Sequence, residues 1–226
     1  MSTIQTAILN GSGLRFVPTV ACTLSGAAQD EPADGVYTIT RTYRGHQALL
    51  LERHLDRLEN SARLEGIPLQ LDRAALRAAL RQMIARGGYP ESRFRVTVPR
   101  STPHELYLAL EPLKPVAGHL REQGVKVITI DAQRENPASK TTDWFHARAQ
   151  WNADLPPDVY ETLLVSAEGH LLEGSSSNFY AICAGTCGRQ ARASFRHLAR
   201  GVAGQRRRYA AYPREGRAPG CTAQRG

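Results

Sequence analysis

The chain has 226 residues, of which 42% are hydrophobic, enough for one large domain or two small ones with buried cores. No apolar run approaches the length of a membrane span, and the N-terminus shows no basic region followed by an apolar stretch, so neither a membrane protein nor a signal peptide is predicted. The four cysteines fit no zinc or disulfide pattern, and we therefore expect a cytoplasmic protein without a metal site.

The net charge of +8 comes from the end of the chain. Ten arginines and one glutamate follow Thr186, whereas residues 1–186 carry 19 basic and 20 acidic side chains. The body is therefore nearly neutral, which argues against nucleic acid as its partner. Residues 187–226 contain only three residues of the types Leu, Ile, Val and Phe. That is too little apolar surface to offset the entropy of ordering, so we expect this segment to be disordered.

Three interpretations of residues 187–226 remain open. The segment could be a basic tail that binds a polyanion, or a natural solvated extension. It could also be the product of a shifted reading frame, which we favour because enrichment in Arg, Ala and Gly is typical of GC-rich codons read out of frame.

The first half of the sequence predicts strands and helices in alternation. Asn10-Gly11 indicates an early turn, residues 36–43 alternate as a strand does, and Asp72 is a suitable helix N-cap. The predicted strands here are 36–43, 46–51, 94–98 and 106–110, and the predicted helices are 52–65 and one from Asp72 to Gly87-Gly88.

Pro112, Pro115 and Gly118 mark a predicted linker, after which a second region begins. This region is predicted to contain strands at 125–130 and 160–165, a helix at 141–151, a hairpin turn at Glu168-Gly169 and a returning strand at 178–182. The sequence therefore predicts an α+β fold. Its expected parts are a small α/β domain at 1–116, the start of a larger domain at 117–186, and the tail at 187–226.

Four segments of the body, within about residues 10–186, resemble the class IV aminotransferases. They are DGVY at 34–37, ERHLDRL at 52–58 with Ser61-Ala62 after it, the lysine at 140, and EGSSSN at 173–178. Members of this family are fold type IV enzymes that use pyridoxal phosphate, and they include branched-chain aminotransferases, D-amino acid transaminases and aminodeoxychorismate lyases. The resemblance implies a two-domain fold and a homodimer.

The resemblance also implies roles for individual residues. Lys140 would form the Schiff base with the cofactor, Arg57 would bind its phosphate, and Glu173 would contact its pyridine nitrogen, with Ser177 and Asn178 beside it. The chemistry is suitable, because an amine is a nucleophile and a guanidinium offers a fork of donors to a phosphate.

Lys140 is one of only three lysines, the others being Lys114 in the linker and Lys126 within a strand pattern. For substrate we select Tyr37 and Arg95, because an arginine on the 94–98 strand could recognise a carboxylate, although a solvent-facing arginine is equally consistent with the pattern.

The function implied by the resemblance is transfer of an amino group between an amino acid and a 2-oxo acid. Alternatives are pyruvate elimination by an aminodeoxychorismate lyase and a polyanion binder that acts through the basic tail. The phosphate-binding and loop motifs that relatives carry after the glutamate segment do not occur after Thr186. The larger domain is therefore expected to be incomplete.

Overall fold

The computed structural model describes residues 4–132, 140–146, 155–178, 180–183 and 186–189. These residues divide into two compact units. The first contains the described residues up to Leu113 together with 140–146, and the second contains the described residues from Lys114 to 132 and from 155 onward. The segment 140–146 thus groups with the first unit, although the sequence placed it in the second domain.

The first unit is built on a six-stranded sheet whose paired neighbours are all antiparallel, in the order β2-β1-β6-β5-β3-β4. Its strands are β1 (Gln5–Asn10), β2 (Gly13–Val17), β3 (Gly35–Tyr43), β4 (Gln47–Ala48), β5 (Ser92–Pro99) and β6 (Leu106–Pro112). Its helices are α1 (Leu24–Ala27), α2 (Leu51–Leu64) and α3 (Arg73–Gly87), and residues 142–146 form a further short helix.

The two faces of this sheet bury different side chains, because successive residues of a strand point to opposite sides. On β5, Phe94, Val96 and Val98 join the main hydrophobic core with apolar residues of α2 and α3. Arg95 and Thr97 alternate with them and are nevertheless buried. The opposite face of the sheet therefore carries polar and charged groups in a water-excluded setting.

The two long helices begin and end where their sequences indicate. Asp72 caps α3 by accepting a hydrogen bond from the Ala75 amide at 2.9 Å, and Gly88 ends that helix in the left-handed region at a φ of 62°. Leu55 and Leu58 of α2 are buried in the core. The periodicity of the sequence thus identified both helices correctly.

The second unit contains α4 (Gly118–Gln123) and a three-stranded sheet in the order β7-β8-β9. Its strands are β7 (Lys126–Asp131), β8 (Val159–Val165) and β9 (Leu171–Gly174), with β7 parallel and β9 antiparallel to β8. Two further strands, β10 (Tyr180–Cys183) and β11 (Thr186–Arg189), pair with each other. The mixture of sheets and helices confirms the predicted α+β class.

Two sequence-based predictions in the second unit were wrong. The turn at Glu168-Gly169 forms as predicted, with the Ser166 amide donating to His170 O at 2.9 Å and Gly169 at a φ of 78°. The strand that returns along β8 is β9, however, and the predicted strand at 178–182 corresponds to β10, which pairs with β11 instead. In addition, β11 includes residues 187–189, for which disorder was predicted. Residues 190–226 lie outside the described residues, as does the predicted helix beyond residue 146.

A tight backbone approach at the start of β3 gives a test of the fold. A Cβ at Gly35 would collide with the carbonyl oxygen of Val98, whereas a Cβ at Gly11 would have no atom within 4 Å. We expect Gly35→Ala to reduce the free energy of unfolding by about 1–3 kcal/mol through overpacking. Chemical denaturation measures the loss, with Gly11→Ala as the matched control. Equal stability of the two variants would contradict the pairing of β3 with β5.

Candidate active site

Lys140 is held by its backbone against the start of β3. Its carbonyl oxygen accepts a hydrogen bond from the Tyr37 amide at 3.0 Å, and Thr141 forms an antiparallel bridge with Val36. The hydroxyl of Thr142 donates to the Gly35 carbonyl at 3.2 Å and also contacts Ala33 O. The segment therefore pairs with this end of β3 as a short additional strand would, and this pairing fixes the position of the Lys140 backbone.

Helix α2 contacts the same segment from another direction. The Lys140 amide donates to Ser61 Oγ at 3.3 Å, and Ser61 is fully buried on α2. Arg57 lies one turn earlier on that helix, at the i−4 position, so it shares a helix face with Ser61. Arg57 therefore lies on the same face of α2 as the serine that contacts the Lys140 backbone.

Aromatic rings and cations are stacked beside the lysine. The Lys140 Nζ atom lies 4.6 Å from the centre of the Tyr37 ring, and the Arg95 guanidinium carbon lies 4.1 Å from the same ring. Arg95 also lies 4.6 Å from the Phe145 ring, which meets the Tyr37 ring edge-on at 5.9 Å. The Tyr37 ring thus makes cation–π contacts with both the guanidinium and the amine.

Arg95 is buried rather than solvent-facing, with only 1% of its side chain exposed. Its Nε donates to Thr97 Oγ1 at 2.8 Å and to a Glu31 carboxylate oxygen at 3.0 Å. Among the described residues, neither its Nη1 nor its Nη2 has a hydrogen-bond partner, and the Tyr37 hydroxyl has none either. Buried donors without partners are costly, so this cluster is suited to receiving acceptor atoms of a ligand.

Glu31 neutralises part of the charge of Arg95. Burial raises the pKa of the Glu31 carboxyl above its ordinary value of 4.5, and attraction to Arg95 and hydrogen bonds from Thr97 and Arg95 oppose that shift only in part. The sequence analysis missed Glu31 because nothing local marks a loop glutamate as the partner of a strand arginine. The alternation along β5 did contain a signal, since it places Arg95 and Thr97 on one face.

Two other arginines and a lysine of the described residues form ion pairs with acidic side chains. Arg93 pairs with Glu111 at 3.0 Å, and Arg100 pairs with Asp34 at 2.7 Å. Lys126 is exposed and forms an ion pair with Asp158 at 2.6 Å, as a surface lysine on a strand would. Arg95 differs from the exposed Arg100 and Lys126 in being buried, and neither of its two terminal nitrogens has a hydrogen-bond partner among the described residues.

The predicted residues of the second unit cluster where β9 ends. Glu173 is half-buried near the end of that strand, Ser177 is buried, and Asn178 is half-buried. The Ser177 hydroxyl has no hydrogen-bond partner among the described residues, although it is shielded from water. This segment therefore offers a carboxylate, a hydroxyl and an amide within six residues of chain.

The described residues were also searched for two other kinds of feature. Within them, no group of three or more His, Cys, Asp or Glu side chains could hold a metal ion. No helix of that part of the chain is long and apolar enough to cross a membrane.

Comparison with known proteins identifies the family. Residues 35–193 match the model of the amino-transferase class IV family, so the chain belongs to that family of enzymes. No curated protein matches the sequence.

Solved structures share the fold. A protein of Thermotoga maritima described as a "putative branched-chain amino acid aminotransferase" superposes with a TM-score of 0.61 at 24% identity, over 80% of this chain and 65% of that one. A hypothetical aminotransferase of Mycobacterium tuberculosis in its PLP-bound form gives 0.57 at 22%, over 77% and 67%. A "putative 4-amino-4-deoxychorismate lyase" gives 0.59 at 26%, over 76% and 68%. The chain therefore spans about two thirds of the length of these structures, and its architecture is that of the fold type IV enzymes.

The raised pKa of Glu31 predicts a pH dependence of stability. The folded protein binds this proton more tightly than the unfolded chain, so Glu31 lowers stability as the pH rises from about 4.5 through the raised pKa. We expect wild type to lose stability relative to Glu31→Gln over that range. Denaturation at several pH values measures the difference, with the exposed neighbour exchange Asp30→Asn as control. A difference that grows in favour of wild type with rising pH would show that the sign is wrong.

Proposed function

We propose that this chain is a pyridoxal phosphate-dependent aminotransferase that transfers an amino group between an amino acid and a 2-oxo acid. The observation that carries the proposal is the position of Lys140. It is bound through its backbone to the start of β3, and its amine lies against the Tyr37 ring, which also contacts a buried arginine. Its amide contacts Ser61, which shares a face of α2 with Arg57. Membership of the amino-transferase class IV family supports the same reaction class.

The available side chains fit the chemical groups of the cofactor. Lys140 would attach to its aldehyde, Arg57 would bind its phosphate, and Glu173 would face its pyridine nitrogen. Ser177 and Asn178 would supply further hydrogen bonds, and the buried Ser177 hydroxyl has unused capacity among the described residues. When bound, pyridoxal phosphate supplies an electron-accepting ring.

The proton transfers are assigned to this chain's own groups. The Lys140 amine would take a proton from the substrate α-carbon and return it at the neighbouring atom of the cofactor, acting as general base and then general acid. Glu173 would keep a proton on the pyridine nitrogen. The Tyr37 and Phe145 rings would exclude water from the lysine, since both are buried.

Arg95 and Tyr37 are assigned to substrate binding. Among the described residues, the two Nη atoms of Arg95 and the Tyr37 hydroxyl are three buried donor atoms without partners, and a carboxylate can accept hydrogen bonds from them. Because Glu31 already occupies Nε, a substrate carboxylate would bind at the other two nitrogens.

A lyase remains the second candidate, and the likeness to the "putative 4-amino-4-deoxychorismate lyase" at 26% identity favours it. The two reactions differ in their needs. A lyase would release pyruvate from aminodeoxychorismate without a 2-oxo acid acceptor. An aminotransferase without an acceptor would stop after the first half-reaction, with one amino group taken up per site. Product analysis with and without acceptor therefore separates them.

The proposal extends to the oligomeric state, the cellular location and the domain boundaries. We propose a homodimer in the cytoplasm, with domains at 1–116 and 117–186, and light scattering tests the oligomeric state. Polyanion binding through residues 187–226 is the non-enzymatic rival. It would appear as binding that weakens steeply with salt and is lost on deleting those residues.

The attachment residue gives the first test. We expect Lys140→Ala to abolish the covalent cofactor adduct that borohydride reduction traps, because no other amine is assigned to the aldehyde. Lys126→Ala is the matched control and should leave trapping unchanged, since that lysine is exposed and paired with Asp158. Mass spectrometry of the reduced protein measures the adduct. Trapping that survives in Lys140→Ala and disappears in Lys126→Ala would show that Lys126, not Lys140, carries the cofactor.

The role of Arg95 is testable in a Glu31→Gln background, which avoids leaving a buried carboxylate without its partner. We expect adding Arg95→Met to raise KM for the carboxylate substrate by about 10- to 100-fold, since hydrogen bonds to charged groups contribute about 1.5–3 kcal/mol. Steady-state kinetics against Glu31→Gln alone measures the change, with the exposed Arg100→Met as control. An unchanged KM would remove Arg95 from the substrate site.

A further inference from the structure

A buried carboxylate lies beside the end of β9 with no counter-ion among the described residues. Glu161, on β8, is 4% exposed, and none of the described ion pairs involves it. Its Oε1 accepts hydrogen bonds from Ser175 Oγ at 2.6 Å and from the Thr162 amide at 3.2 Å. Its Oε2 accepts one from Ser176 Oγ at 2.8 Å. Such charge-assisted bonds are the strong kind, and they replace the water that the carboxylate gave up.

These bonds fix the backbone turn that follows β9. The Ser175 amide also donates to Thr162 O at 2.8 Å, and the Gly174 amide donates to Ser177 O at 2.9 Å. The turn packs closely, because a Cβ at Gly174 would collide with the Ser177 hydroxyl and lie 3.3 Å from the Glu161 carboxyl carbon. Residues 174–177 thus have their conformation set from one side by Glu161.

Glu173 is part of an irregularity in β9, directly before this turn. Leu163 pairs with Gly174 and Val165 with Leu171, so Leu172 and Glu173 together stand opposite a single residue of β8. That arrangement is a β-bulge, a feature that re-aims side chains and occurs often beside active sites. The direction of the Glu173 side chain therefore depends on the bulge that contains it and on the turn after it.

We propose that Glu161 is a positioning residue, whose buried carboxylate holds the 174–177 turn and thereby orients the Glu173 carboxylate toward the cofactor. The inference rests on the proposed function, in which Glu173 faces the pyridine nitrogen. Glu161 itself touches neither substrate nor cofactor in this account. It acts through the hydroxyls of Ser175 and Ser176 and through the backbone that they hold.

The test uses Glu161→Gln, in which an amide replaces one of the two acceptor oxygens with a donor. Glu168→Gln is the matched control, since Glu168 is an exposed glutamate in the same hairpin. The first readout is hydrogen exchange of the 174–177 amides. The second is the protonation of the pyridine nitrogen, followed by NMR of isotopically labelled pyridoxal phosphate. The third is the Kd of that cofactor.

We expect Glu161→Gln to speed exchange at 174–177, to lower the protonated fraction of the pyridine nitrogen, and to weaken cofactor binding by about tenfold. Glu168→Gln should change none of the three. If Glu161→Gln does not fold, Ser176→Ala removes one of the bonds and should shift the same readouts in the same direction by less. Faster exchange with an unchanged pyridine nitrogen would overturn the proposal, since the role would then be structural only.

Failure of the proposed function has a separate signature. Wild-type protein that traps no pyridoxal phosphate would remove the cofactor role itself, and this inference with it. Wild-type protein that traps the cofactor at Lys140, together with a Glu161→Gln variant that matches it in all three readouts, would overturn the role of Glu161 alone.

Discussion

The candidate site depends on the backbone pairing between residues 140–142 and the first residues of β3. The Tyr37 amide donates to the Lys140 carbonyl, and the Gly35 carbonyl accepts from the Thr142 hydroxyl. Between them, Val36 and Thr141 form an antiparallel bridge. Buried backbone groups must form hydrogen bonds, so this pairing fixes the position of the Lys140 backbone. The side chains then act on a scaffold that a six-stranded sheet holds rigid.

The buried side chain of Arg95, on the face of the sheet opposite the main hydrophobic core, costs folding free energy that packing alone does not explain. Arg95 contacts two aromatic rings and is paired with Glu31, yet two of its nitrogens have no hydrogen-bond partner among the described residues. A buried ion pair contributes little net stability, and an unsatisfied donor costs about 1–3 kcal/mol. Such a cluster is expected where ligand binding uses it, which supports the proposal that Arg95 binds substrate.

Local patterns predicted much of the architecture, and long-range contacts account for what they missed. The stripe of Leu55 and Leu58 and the Asp72 cap identified both long helices, because these signals lie within one element. The burial of Arg95 could not be read locally, since it depends on Glu31 and Phe145, which are distant in sequence. The returning strand was misplaced because β9 is only four residues long, although the turn before it at Glu168-Gly169 was predicted. Glu161 escaped notice for the same reason as Glu31: a strand glutamate gains its role only from the turn that folds onto it.

The central claim is that Lys140 is the residue that carries the cofactor. Peptide mapping of wild-type protein after incubation with pyridoxal phosphate and borohydride reduction tests it most directly, because the reduced bond survives digestion. We predict that the pyridoxyl group is found on the peptide containing Lys140. Finding it on the peptide containing Lys126 or Lys114, or on none, would contradict this assignment.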